Sequence, residues 1–167
     1  METVVSGSST LPSVRRQTAL IVAVFALVGA ALGVVGFVAG DWARTQFVTG
    51  ATGSQPATFG PVFLALSIFQ TTVTLFVAGP ILASVLGLLS GSRFADATAA
   101  AGVAGGGALV GFFVMTGLAL LGLSALSGPS TGQIYSLRTA VGPLLLSGVT
   151  TTVVGGGAGA LGSRFVR

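Results

Sequence analysis

The chain has 167 residues, of which 52% are hydrophobic and only 6% are charged, with a formal net charge of +4. A soluble domain usually has about 25% charged residues, so this chain has too few polar side chains to coat a water-soluble globule. The mean hydropathy of +0.99 also excludes a disordered chain, because disordered segments are poor in apolar residues. The composition therefore predicts a polytopic membrane protein.

The residue types that are missing exclude several functions. Cysteine and histidine are absent, so the chain has no thiolate or imidazole metal ligand and no Ser-His or Cys-His nucleophile pair. The basic residues are all arginines, and they are too sparse to form a patch that follows nucleic-acid phosphates. We therefore expect no catalytic residues, no bound cofactor or metal, and no nucleic-acid partner.

The first apolar run follows a short tail. Residues 1–16 are polar and rich in Ser and Thr, which predicts a tail outside the membrane, and residues 17–167 form the predicted transmembrane domain. The uncharged run at residues 17–40 spans roughly 35 Å as a helix, enough to cross a hydrocarbon core about 30 Å thick. A signal peptide is the alternative, but its apolar region is only about 7–15 residues long. We expect residues 17–40 to be a transmembrane helix.

Three more apolar runs predict helices at residues 59–89, 97–126 and 139–162. As a straight helix the first of these would be about 45 Å long, which exceeds the hydrocarbon core. Either one end projects into the interface or the Gly79-Pro80 pair kinks the helix, and we favour a kink near Pro80. Asp96 stands just before the third helix, where an N-capping residue belongs.

The arginines predict the orientation of the helices. If the N-terminus is cytoplasmic, five arginines lie on the cytoplasmic side, and only Arg44 and Arg138 lie opposite. This distribution predicts that both termini are cytoplasmic. Aromatic residues then fall at the outer boundary, where amphipathic rings are favoured. The predicted membrane-interface anchors are Trp42, Tyr135, Arg15, Arg16, Arg93 and Arg164.

Small residues recur at spacings of three and four, which places them on one face of each helix. In lipid, such faces let backbones approach closely and pack through dispersion and weak Cα–H···O contacts. Gly102 and Gly106 form one such pair, and Gly79, Ala83 and Gly87 form another row. We expect the faces to pack inside the chain or against a partner. The principal packing and partner-interface candidates are Gly29, Gly33, Gly36, Gly40, Gly107, Gly111, Gly148, Gly155 and Gly159.

Short sequence identities indicate an internal repeat. GSRF occurs at residues 91–94 and 162–165, after the second and fourth helices, and VGF occurs at residues 35–37 and 110–112. This pattern predicts two helical hairpins related by an axis along the membrane normal. The alternative is chance identity in a strongly biased composition.

Few polar side chains lie within the predicted helices, and none of them is ionisable. An ion-coupled carrier is therefore not expected, because such carriers use intramembrane ionisable groups. Gln70, Thr71 and Thr74 are the candidate polar lining of a pore or a solute site. The alternative is that these side chains hydrogen-bond across a helix contact or to their own helix backbone.

The sequence thus predicts an all-α integral membrane four-helix bundle. We expect a non-enzymatic structural or accessory subunit that packs through its small-residue faces. The expected partners are the lipid bilayer and either other membrane subunits or copies of the chain itself. The alternative function is a channel or facilitator for a small neutral solute. The expected location is the cell membrane, with the membrane of a virus-like particle as the alternative.

Overall fold

The computed structural model describes residues 14–46, 55–124 and 141–165. Within these residues the protein is all-α, with four helices: α1 (Val14–Arg44), α2 (Gln55–Gly91), α3 (Ala97–Ser124) and α4 (Val141–Gly162). Each helix contains a segment long and apolar enough to cross a membrane. The predicted anchor Tyr135 and the first 13 residues of the predicted tail lie outside the described residues.

The two longest helices extend beyond the predicted apolar runs. α1 has 31 residues and includes Arg15 and Arg16 in its first turn, where they can extend their side chains toward water. α2 has 37 residues and is continuous through Gly79 and Pro80. A straight helix of that length is about 55 Å long, so one or both of its ends project past a hydrocarbon core about 30 Å thick.

The closest helix pairs run parallel. Gly107 of α3 lies against Ile21 of α1, and Gly29, further along α1, lies against Met115, further along α3. α2 and α4 are also parallel, whereas α3 and α4 are antiparallel. α3 packs extensively against both α1 and α4, while α1 and α2, although consecutive, share a much smaller contact. The first two helices are therefore splayed apart.

The centre of the bundle is filled with large apolar side chains. Phe25, Leu75, Phe112 and Met115 all have an exposed fraction of 0% and belong to one cluster that joins α1, α2 and α3. Many other large apolar side chains lie on the outer surface, including Leu146 at 69% exposed. Such a surface suits hydrocarbon rather than water.

Pro80 is accommodated by a hydrogen bond from another helix. Proline has no backbone N–H, so the carbonyl of Phe76, four residues earlier, loses its usual partner within α2. Ser147 of α4 donates its hydroxyl to that carbonyl at 3.1 Å. In a membrane helix, a neighbouring serine can satisfy a carbonyl that a proline has freed. This bond explains how α2 continues through Pro80, and it also ties α2 to α4.

A double-mutant cycle tests this role of Ser147. Ser147→Ala is expected to destabilise the bundle by about 0.5–2 kcal/mol, because it leaves the Phe76 carbonyl unpaired. In a Pro80→Ala background the same substitution should cost markedly less, since replacing the proline restores an N–H donor within α2. Reversible unfolding in mixed micelles measures both costs. Equal costs in the two backgrounds would contradict the assignment.

Candidate functional site

The glycines of α1 lie on one buried face, which meets α3. An ideal Cβ atom at Gly29 would lie 2.5 Å from Cα of Met115, and one at Gly33 would lie 2.9 Å from the carbonyl oxygen of Leu118. Side chains are essentially never found so close to a backbone, so glycine is what allows this approach. Gly36 faces Leu123 and Thr71, and Gly40 is also buried.

The predicted packing glycines of α3, Gly107 and Gly111, lie against side chains of α1. An ideal Cβ at Gly111 would lie 2.7 Å from the ring of Phe25, and one at Gly107 would lie 3.2 Å from Ile21. The absent side chains thus provide the space that these two large residues fill. The predicted glycines of α1 and α3 therefore meet each other's helices within one chain.

The predicted glycines of α4 pack in the same way. An ideal Cβ at Gly155 would lie 2.9 Å from Cβ of Ala108, and one at Gly159 would lie 2.7 Å from the carbonyl oxygen of Ala100. Gly148 lies against the Phe113 ring, with its ideal Cβ 3.1 Å away. α4 is therefore held against α3 along much of its length.

Two glycines with helix-packing spacing remain open. Gly102 and Gly106 are exposed on α3, and an ideal Cβ at either position would meet nothing within 4 Å. They are four residues apart, so they lie on one face. Ala99, three residues before Gly102, is exposed as well. We call Ala99, Gly102 and Gly106 the open small-residue face.

The three candidate pore-lining residues lie together on α2. Thr71 donates its hydroxyl to the Ser67 carbonyl at 3.1 Å, and Thr74 donates to the Gln70 carbonyl at 2.9 Å. These hydroxyls thus bond to their own helix. Gln70 is exposed at the surface of the bundle.

Gln70 lies between two grooves. One groove, of about 280 Å³, runs between α1 and α2 and is lined by Ser67, Gln70, Thr71 and Thr74 opposite Leu32, Val35, Gly36 and Ala39. We call it the Gln70 groove. A larger groove, of about 690 Å³, follows the outer face of α2 from Leu66 to Ile81.

A third groove separates α1 and α2 at their other ends. It has a volume of about 230 Å³ and is lined by Gln17, Leu20, Ile21 and Val24 on α1 and by Leu86, Leu89, Ser90 and Arg93 at the end of α2. We call it the Arg93 groove. The two grooves between α1 and α2 are a direct consequence of the splayed contact between these helices.

The described anchor residues lie at the ends of the helices. Trp42 is 60% exposed near the end of α1, and the arginines at positions 15, 16, 93 and 164 are exposed. Asp96 caps α3, since its carboxylate accepts the backbone N–H of Thr98 at 3.3 Å and that of Ala99 at 2.9 Å. The charged groups thus stay outside the apolar segments.

Two structural roles were not predicted from the sequence. One is the bond from Ser147 to the carbonyl freed by Pro80, which depends on how α2 and α4 meet. The other is the burial of Gln17, only 4% exposed, in the Arg93 groove. Gln17 precedes Ile21, Phe25 and Gly29 at intervals of four, so its position on the buried face could have been read from the helical period.

The fold indicates the class of protein: among its described residues it is all-α, with four helices that are each long and apolar enough to span a membrane, as in a multi-pass membrane protein. Comparisons with protein-family models, with curated protein sequences and with solved structures find no match to this chain.

The contact between α1 and α3 leads to a direct test. Gly29→Ala is expected to destabilise the bundle by about 1–3 kcal/mol, because the new methyl group overlaps the Met115 backbone and forces the helices apart. Ala30→Leu is the control, since Ala30 is exposed. Reversible unfolding in mixed micelles measures both. If Gly29→Ala cost no more than Ala30→Leu, the tight contact would be disproved.

Proposed function

We propose that the protein is a non-enzymatic structural or accessory subunit that packs against copies of itself or other membrane proteins. The observation that carries this proposal is the open small-residue face of α3. Most glycines with helix-packing spacing meet a helix of the same chain, whereas Gly102 and Gly106 meet nothing within 4 Å. A partner helix could approach the α3 backbone there, as in other small-residue contacts in membranes.

Gln70 adds a second reason to expect a partner. Thr71 lies beside Gly36, which precedes Trp42 by six residues, or about 9 Å along a helix. Gln70 thus lies deeper in the membrane than the level that a Trp side chain prefers, and it is an exposed residue at the surface of the bundle. A carboxamide in hydrocarbon without a hydrogen-bond partner is costly. The groove of about 690 Å³ beside it could hold roughly four to six residues of a helix about 10–12 Å across.

Gly106→Leu tests the open face at an exposed position, where an ideal Cβ atom would meet nothing within 4 Å. It is expected to weaken association at least tenfold, or about 1.4 kcal/mol, by holding the partner backbone away. The matched control is Gly157→Leu, an exposed glycine on α4 that also has nothing within 4 Å of an ideal Cβ atom. Particle mass and co-purification in mild detergent are measured, with helical content as the folding check.

Gln70→Leu provides the independent second arm, because it removes the carboxamide while keeping a similar volume. If neither Gly106→Leu nor Gln70→Leu changed particle mass or co-purifying proteins, the subunit proposal would fall. Gly33 and Gly36 are unsuitable for this test. Both face helices of the same chain, so enlarging them acts on folding.

The proposed orientation places both termini in the cytoplasm, on the arginine distribution given above. The chain has no cysteine, so single cysteines can report each side of the membrane. Ala95→Cys, between α2 and α3, should resist an impermeant maleimide added to intact cells, and Gln46→Cys, after α1, should react. Both positions are exposed. The reverse labelling pattern would require the opposite orientation. The cell membrane is the proposed location, and a virus-like particle is the alternative.

The proposed pair of repeated hairpins has support at the ends of α2 and α4. In the first GSRF motif, Arg93 donates its backbone N–H to the Ser90 carbonyl, and Phe94 donates to the Gly91 carbonyl. In the second motif, Arg164 and Phe165 donate in the same way to the carbonyls of Leu161 and Gly162. Gly91 packs on the Gly159 carbonyl, while Gly162 packs on that of Leu88. These contacts are reciprocal under a shift of 71 residues, as a two-fold relation requires.

The VGF motifs add no support to the repeat. Phe37 is 41% exposed, whereas Phe112 is 0% exposed, so the two motifs occupy different environments. The repeat proposal therefore rests on α2 and α4.

A channel or facilitator for a small neutral solute is the second candidate, and the polar lining of the Gln70 groove supports it. Phe25 and Phe112 fill the centre of the bundle, so a path would follow the groove or form between protomers. This candidate requires solute flux from proteoliposomes above that of empty vesicles.

A further inference from the structure

We propose that the Arg93 groove binds one anionic phospholipid, with the lipid phosphate at Arg93 and part of an acyl chain between α1 and α2. The inference requires only that the chain spans a membrane, and it holds whether or not the protein is a subunit of a complex. Three properties of the groove support this ligand: the change from polar to apolar lining residues along its length, the positive charge at its polar end, and its size.

The groove changes from polar to apolar along its length. Gln17 on α1 and Arg93 after α2 lie at one end. Because the two helices are antiparallel, the next lining residues inward are Leu20 and Leu89, followed by Val24 and Leu86. Ser90 is also buried near the polar end, at 5% exposed. A phospholipid has the same order, with a charged and hydrogen-bonding head above an apolar chain.

The charge at this end of the bundle is strongly positive. The arginines at positions 15, 16, 93 and 164 all lie here, and Asp96 is the acidic residue among the described residues at this end. Its carboxylate accepts two backbone N–H groups at the start of α3. Arginine presents a planar set of donors that matches a phosphate, and basic sites between membrane helices suit anionic head groups.

Gln17 gives the site a polar group below the phosphate level. Its side chain is 4% exposed, although a carboxamide is costly to bury without hydrogen bonds. The carboxamide offers two N–H donors and one acceptor. The ester oxygens of a phospholipid lie between its phosphate and its chains, so they would reach this level of the groove.

The size of the groove favours a lipid chain over a protein helix. A helix about 10–12 Å across occupies roughly 120–170 Å³ per residue, so a groove of about 230 Å³ would hold fewer than two residues of one. A segment of an extended acyl chain is far thinner and can lie between Val24 and Leu86. The size of the groove therefore supports a lipid from the surrounding bilayer as the occupant.

The test uses the full chain purified in detergent and native mass spectrometry. Phosphatidylglycerol is titrated as the anionic lipid, phosphatidylcholine as the zwitterionic lipid, and glycerol 1-phosphate as the free phosphate ester. We expect phosphatidylglycerol to bind with a stoichiometry of one, at least tenfold more tightly than either of the others. Arg93→Gln should reduce that affinity about tenfold, the loss of one charge-assisted hydrogen bond, and Arg93→Lys should lose less.

Arg164→Gln is the matched control, because Arg164 is an exposed arginine at the same end but does not line the groove. The affinity of the Arg164→Gln variant for phosphatidylglycerol should differ less than twofold from that of the unmodified chain. Equal losses in Arg93→Gln and Arg164→Gln would mean general surface attraction and would overturn the site. Equal binding of phosphatidylglycerol and phosphatidylcholine would disprove the preference for an anionic lipid. If glycerol 1-phosphate bound as tightly as phosphatidylglycerol, the proposal that the ligand is a lipid would be disproved.

A measurement on the unmodified chain covers the case in which the Arg93 variants do not fold. Phosphatidylglycerol with a photoreactive group in one acyl chain is crosslinked to the protein, and tryptic peptides are analysed. We expect labelling in both peptides that line the groove, residues 17–44 and 45–93, because the chain touches α1 and α2 together. Labelling spread evenly over all four helices would overturn the proposal.

Discussion

Helix backbones can touch only where no side chain stands between them, and the bundle depends on this constraint. In lipid, burying apolar side chains brings little net gain, so close contact must hold the helices together. Gly29 lets α1 reach the backbone of α3 at Met115, and Gly91 lets α2 reach α4 at Gly159. Many of the large apolar side chains, such as Leu146, are consequently free to face outward.

The second constraint is that backbone polar groups in hydrocarbon must find partners within the protein. Pro80 breaks the hydrogen-bond ladder of α2, and Ser147 on α4 repairs it by donating to the Phe76 carbonyl. Asp96 has a similar effect at the start of α3, where it accepts the first amide groups. These polar residues therefore have a structural role. The functional proposals rest on other residues.

The proposed functions rest on the surfaces that are left after internal packing. α3 and α4 are tightly joined, whereas α1 and α2 leave a groove at each end of their contact. One groove presents Gln70 and threonines, and the other presents Gln17 and Arg93. The open small-residue face lies on α3, away from both grooves. The proposed protein association and the proposed lipid binding thus involve separate parts of one molecule.

The sequence by itself determined the class of protein, the four apolar helices and the spacing of their glycines, because bilayer thickness and the helical period are fixed. Only the tertiary structure decided that Gly111 receives Phe25 while Gly106 stays open, and that α2 continues through Pro80. Hydrophobicity could not make these distinctions. Lipid and protein interior are equally apolar, so a membrane helix shows no polar face to mark which side meets its neighbours.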